Sequence, residues 1–225
     1  MNENKKLIVV PWDFTLVAEN ALAHAVKISR MTSNDVCLLH IINPGIKPKE
    51  EREVTHQLKR VADEASKKYN MIIIYQLIKG SIFTDIADFV NSKEANLVVM
   101  GTHGMKGMQK ITGSWALKVI VKSKVPFIVV QDPPADQERY HNIVFPVDFR
   151  IENKEKMGMA IFMGKYFDSK IHILKSVSKD VSLKRRININ LNFAIKYLIQ
   201  NNIEYEIHEI PRGNLAQKTI DFAQK

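Results

Sequence analysis

The chain has a single cysteine, Cys37, among its 225 residues, so no intrachain disulfide can form. A lone thiol in an apolar stretch reads as a buried, inert side chain in a reducing compartment. No apolar run approaches the ~20 residues of a membrane-spanning helix. The opening Met1-Asn2-Glu3-Asn4-Lys5-Lys6 passes almost directly into a strand-like run, which leaves no room for a signal peptide. A cytoplasmic location is the expectation. Aromatic residues make up only 8% of the chain. None interleaves with the one tight basic cluster, Lys184-Arg185-Arg186, as a base-stacking platform requires. The net charge of +9 is spread evenly, with 18 basic against 13 acidic side chains in residues 1–135 and 15 against 11 in the rest. That pattern describes a solvated basic surface and argues against a nucleic-acid footprint.

Two phosphate-binding signatures are also missing. There is no Gly-Lys-Ser/Thr of a Walker A loop and no Gly-x-Gly-x-x-Gly dinucleotide fingerprint. No activated nucleophile and no carboxylate pair stands out, so a dedicated enzyme is disfavoured and slow hydrolysis is the most to expect.

What the chain does have is the stretch 98–114, Val-Val-Met-Gly-Thr-His-Gly-Met-Lys-Gly-Met-Gln-Lys-Ile-Thr-Gly-Ser. An apolar run stops at Gly101, Gly104 and Gly107 follow, and Gly113-Ser114 opens an apolar-periodic segment. This reads as buried strand, glycine-rich loop, then helix. Bare backbone N–H groups and a helix N-terminus can together cradle a phosphate. Glycines also serve any tight strand-to-helix turn, so the loop alone leaves both readings open.

Along the chain, residues 6–10 form a short apolar strand ended by Pro11-Trp12-Asp13, and residues 16–31 follow with helical periodicity. Residues 36–42 are the next strand, 49–70 a charged amphipathic helix, and 71–78 a third strand. Ile82, Ile86, Phe89 and Val90 mark a third helix. After the strand into Gly101, the loop and the helix from Ser114, residues 125–131 make a fifth strand. Strict alternation of strand and helix predicts an α/β fold, a parallel sheet covered on both faces. Asp132-Pro133-Pro134 begins a linker reaching to residue 139.

The chain then repeats itself. Ile143-Val144-Phe145-Pro146-Val147-Asp148-Phe149 echoes Ile8-Val9-Val10-Pro11-Trp12-Asp13-Phe14, and Arg212-Gly213-Asn214-Leu215 echoes Lys79-Gly80-Ser81-Ile82. Separated blocks in register imply a tandem duplication, with residues 1–131 as a complete domain and 140–225 as a shortened copy. The second copy has no counterpart of residues 93–131, hence no fourth or fifth strand and no glycine loop. Asp148 repeats Asp13 without a loop opposite it and reads as vestigial.

Pro11-Trp12-Asp13-Phe14, Leu39-His40-Ile41, and Met100-Gly101-Thr102-His103-Gly104 through Gly113-Ser114 together resemble the universal stress protein family, in particular its tandem-domain members. The resemblance implies a five-stranded parallel sheet of order 3-2-1-4-5 with helices on both faces. It implies an adenine nucleotide, ATP or its AMP and ADP relatives, with Mg2+, held by the first repeat in a regulatory stress-response role. Asp13 would accept from base or ribose, and the Ile41 backbone would meet adenine. Pro11 and Met100 would line the pocket, and Gly101, Gly104 and Gly113 would admit the phosphates beside His103 and Ser114. Asp13 has a second reading as a turn or N-cap acid, and His103 one as a turn filler. The family's loop pattern is Gly-x2-Gly-x9-Gly-Ser/Thr, whereas Gly104 and Gly113 here enclose eight residues. The alternative function, a scaffold or interaction protein without nucleotide, follows from that shorter loop. The apolar fifth strand, 125–130, left open at a sheet edge, suggests a homodimer.

Overall fold

A computed structural model of the chain describes residues 6–102, 118–134, 140–151, 153–211 and 213–224. They fall into two compact units, Met1–Ala135 and Asp136–Lys225.

In the first unit, short β-branched runs become strands, the three central ones buried on both faces, and the charged, periodic segments between them become covering helices. The order is β1 (Leu7–Pro11), α1 (Leu16–Thr32), β2 (Asp35–Ile42), α2 (Pro48–Tyr69), β3 (Ile73–Lys79), α3 (Asp85–Ser92), β4 (Leu97–Gly101) and β5 (Phe127–Val130). Residues 118–122 are helical. The strands pair in parallel in the order β3-β2-β1-β4-β5. One face packs Val9, Cys37, Leu39, Val98 and Met100 against Ile86, Phe89 and Val90 of α3 and against Val119. On the other lie α1, against β1 and β4, and α2, against β2 and β3.

Two boundaries differ from the sequence reading. β3 starts at Ile73 rather than residue 71, because α2 ends in a left-handed cap at Asn70 (φ 51°) and the Met71 N–H is bonded to the Ser66 carbonyl. β5 is shorter than residues 125–131. The Val125 N–H donates to Ser123 Oγ at 3.0 Å, and Pro126 has no N–H to give a ladder.

In the second unit, β6 (Asn142–Val147), α4 (Asn153–Phe167), β7 (Lys170–Ser176), α5 (Val181–Gln200), β8 (Tyr205–Ile210) and α6 (Leu215–Ala223) follow in order. β6, β7 and β8 form a three-stranded parallel sheet. Its core joins Phe145, Val147, Ile171 and Ile173 to Met157 and Ala160 of α4 and to Leu191, Ala194 and Leu198 of α5. Asp180 caps α5 by accepting from the Leu183 N–H at 2.9 Å, the role its short acidic side chain suits. Among the described residues no helix is long and apolar enough to cross a membrane.

Candidate functional site

The order 3-2-1-4-5 puts β1 between β2 and β4, whose connections leave on opposite sides, and a crevice opens beyond the carboxyl ends of these strands. A cavity of about 340 Å³ occupies that place. Of the residues expected at the site, Pro11, Asp13, Ile41, Met100 and Gly101 all line it. His103, Gly104, Gly113 and Ser114 lie outside the described residues. The walls are largely apolar, from Val17 and Ala18 of α1, Leu39 of β2, Ile82, Ile86 of α3, and Val119.

The rim is built by a tight turn. β1 ends at Pro11, and Thr15 is the N-cap of α1, accepting from the Ala18 N–H. Between them Phe14 takes a left-handed conformation (φ 61°), unusual for a bulky side chain and costing on the order of 1–3 kcal/mol. Its ring meets His40 edge-on at 4.9 Å. Asp13 does not cap the helix. Its Oδ1 accepts from the Thr15 backbone N–H at 3.1 Å and from Thr15 Oγ1 at 2.5 Å. The acid therefore holds the capping threonine, and both bonds fall on one of its two oxygens.

β2 overhangs β1. The last register pair is Pro11 with Leu39, and the Trp12 N–H donates to the Leu39 carbonyl at 2.8 Å. By strand alternation the N–H and C=O of Ile41 point to the same side as those of Leu39, where β1 no longer runs. Two neighbours of this step, Trp12 and His40, also line the cavity although neither was among the expected site residues. His40 Nδ1 lies 2.6 Å from the Trp12 carbonyl oxygen, so Nδ1–H donates and Nε2 carries the lone pair in the neutral ring. Trp12 is 5% exposed, yet its indole Nε1–H has no acceptor among the described residues. A tryptophan and a histidine flanking strand ends were the available signals.

Gly101 has a structural duty at this site. A Cβ there would stand 2.1 Å from the Val17 carbonyl oxygen and 2.4 Å from its carbon. The first turn of α1 thus sits directly on the end of β4, which brings the helix N-terminus to the crevice. α1 is fastened again at the end of β5, where Asn20 Nδ2 donates to the Gln131 carbonyl at 2.7 Å and His24 Nε2 to that of Asp132 at 3.0 Å.

The family model for the universal stress protein family matches residues 5–131. The chain belongs to the universal stress protein family. A universal stress protein of Methanocaldococcus jannaschii is 30% identical over 141 residues, which cover 57% of this chain and 83% of that protein. The crystal structure of a universal stress protein from Archaeoglobus fulgidus superposes with a TM-score of 0.76 at 14% identity, covering 98% of this chain and 84% of that one. At that identity the likeness speaks for the fold. A further universal stress protein from Archaeoglobus fulgidus was solved in complex with dAMP. It is 22% identical, with a TM-score of 0.46, and covers 56% of this chain and 98% of its own.

In the second unit the acid that follows β6 is not open. Asp148 is 6% exposed. Its Oδ2 is 2.7 Å from Arg150 Nε and its Oδ1 accepts from the Arg150 N–H at 2.9 Å. Arginine therefore occupies both oxygens where the first unit has Thr15 on one.

Proposed function

We propose that the first unit binds one adenine nucleotide, ATP or its AMP and ADP relatives, in the crevice at the ends of β1 and β4, as a regulatory rather than a catalytic device. The observation that carries this reading is the cavity itself. Five residues separated by up to 90 positions in the sequence line one crevice at the topological switch point. Its volume is at the lower end of the roughly 300–1,000 Å³ of ligand pockets, a fit for a nucleoside with phosphates trailing toward the α1 side.

The donors and acceptors suit that ligand. A flat apolar base needs the Ile41, Ile82 and Met100 walls, and its ring edge needs a backbone N–H and C=O, which Ile41 offers beyond the last β1 pair. The second oxygen of Asp13 is available to a ribose hydroxyl. Among the described residues the buried indole N–H of Trp12 has no acceptor, which costs about 1–3 kcal/mol, and a ligand acceptor would relieve it. Mg2+ would travel with the phosphates, as this ion is commonly held by one carboxylate and phosphate oxygens. His103, Gly104, Gly113 and Ser114 are the proposed phosphate side of the site, with Gly101 opening the way to it.

In the second unit the Arg150 clamp on Asp148 removes the acid, so a single site per chain is expected. We also infer that the units arose by tandem duplication. Ile8 faces Val36 in one sheet and Ile143 faces Ile171 in the other, pairs separated by the same sequence offset. β5 ends its sheet with Val129 46% exposed, which supports a homodimer through residues 125–130. The test of the ligand is mass spectrometry of small molecules released when the purified protein is heat-denatured. Adenine nucleotide near one equivalent supports the reading. A chain that carries none and takes up none from millimolar ATP supports the scaffold alternative.

A further inference from the structure

The second unit carries a cluster that no contiguous motif announces. β7 and β8 pair in register, His172 opposite Glu206 and Leu174 opposite His208. Side chains alternate along a strand, so His172, Glu206 and His208 share one sheet face, opposite the face where Ile171 and Ile173 enter the core. His172 Nδ1 and His208 Nε2 are 3.1 Å apart. Glu206 reaches both, with Oε2 4.0 Å from His172 Nδ1 and Oε1 3.8 Å from His208 Nε2. One ligand atom from each of the three lies within 4.8 Å of the others.

We propose that His172, His208 and Glu206 form a binding site for one divalent transition-metal ion of the zinc class.

The spacing fits that ion. Zinc binds imidazole nitrogen at about 2.0–2.1 Å, so two ligands at tetrahedral angles stand about 3.3 Å apart. The two ring nitrogens are already at that separation within a few tenths of an ångström. One carboxylate oxygen must close in on the two nitrogens by roughly 0.5–1.5 Å, which a flexible, 49% exposed side chain can do. The set of two imidazoles and one carboxylate suits zinc and its neighbours among the transition metals. It offers too few oxygens for calcium or magnesium and no thiolate for softer ions.

The surroundings orient the ligands. His172 Nε2 is 3.0 Å from Asn142 Oδ1 on β6, so Nε2–H donates and the Nδ1 lone pair faces the cluster. An outer partner of this kind is what metal-bound histidines commonly have. Without an ion, His208 Nε2–H donates to His172 Nδ1. With one, the His208 ring carries its proton on Nδ1 instead, a change of tautomer with no net proton gained or lost. The Phe222 ring of α6 lies 4.7 Å from the His208 ring and 6.0 Å from that of His172. Three protein ligands leave a fourth position for water.

Lys170 opposes the ion. Its Nζ is 3.0 Å from Glu206 Oε2, but also 3.3 Å from Glu204 Oε1. Glu204 can keep the ammonium when Glu206 turns to the metal.

The test is isothermal titration of the full chain, stripped of metal by a chelator, with zinc chloride, with circular dichroism confirming that each variant is folded. One ion per chain is expected, with a site lost in His172→Ala and His208→Ala and weakened at least tenfold in Glu206→Gln, which keeps the side-chain shape. Asn142→Ala should weaken it about 10-fold. Lys170→Met should bind several-fold more tightly, since it frees the carboxylate and removes a like charge. Wild type that takes up no zinc at 100 µM overturns the proposal. So does equal binding by wild type and the folded His172→Ala and His208→Ala variants, or weaker binding by Lys170→Met. None of these outcomes depends on nucleotide.

Discussion

Gly101→Ala tests how the crevice is built. Carbon and carbonyl oxygen in contact ordinarily stand at least about 3.3 Å apart, yet the new methyl would lie 2.1 Å from the Val17 oxygen, 2.4 Å from the Val17 carbon and 3.0 Å from the Ala18 nitrogen. All three are backbone atoms in the first turn of α1, so no side chain can swing away and the helix start must move by about 1 Å. Overpacking costs typically 1–3 kcal/mol, and a clash with backbone belongs at the upper end, about 3 kcal/mol. The assay is urea unfolding followed by tryptophan fluorescence. Trp12 and Trp115, the only tryptophans, both belong to the first unit, so the signal reports that unit. With a slope of about 2 kcal/mol per molar urea, the midpoint should fall by about 1.5 M. A midpoint within about 0.3 M of wild type would refute the contact between α1 and β4. Gly158→Ala is the contrasting substitution, since its Cβ meets nothing within 4 Å. Inside α4 it should stabilise the second unit by up to about 1 kcal/mol, read by circular dichroism.

Burial lowers the pKa of His24, with the Asp132 carbonyl opposing and Lys27 assisting. A depressed folded pKa means that its neutral ring favours the native state above the unfolded pKa of about 6.5, and that this stability is lost as pH falls below it. The urea midpoint of the first unit should therefore drop on acidification from pH 7.5 to 5.5, and His24→Gln should flatten that slope; an unchanged slope would assign it to other groups. Burial raises the Cys37 thiol to about 12, so it should resist a thiol reagent in the native protein and react in 6 M guanidinium; reaction within minutes in buffer contradicts its burial. Ile128→Asp on β5 should shift a dimer to monomer in light scattering, and a wild type that is strictly monomeric at micromolar concentration removes the proposed pairing.

The sheet was legible because its strands are short apolar runs closed by glycine, proline or asparagine, with helical spacing between them. The edges were less so. Ile74 and Tyr75 look like core residues in sequence, but β3 ends the sheet and leaves them 38% and 36% exposed. Pro126 and the Ser123 hydroxyl trim β5, a matter of hydrogen bonds that periodicity does not encode. At the site, Asp13 and Gly101 were legible as strand-end residues. The work each does was not, because Thr15 and Val17, which they contact, are set by how α1 leaves the turn. Ile41 came from resemblance alone, and its reason, the overhang of β2 past β1, exists only in the register. The cluster of His172, Glu206 and His208 was invisible for the same cause, since pairing of two strands brings together residues more than thirty positions apart.

The central claim is most directly tested by isothermal titration of the chain with Mg-ATP, for wild type, Asp13→Ala and Asp148→Ala. One site per chain is expected, weakened about 10- to 100-fold by Asp13→Ala, the worth of a hydrogen bond to a charged group at about 1.5–3 kcal/mol, and unchanged by Asp148→Ala. Two equivalent sites per chain, or no binding at millimolar nucleotide, would contradict it.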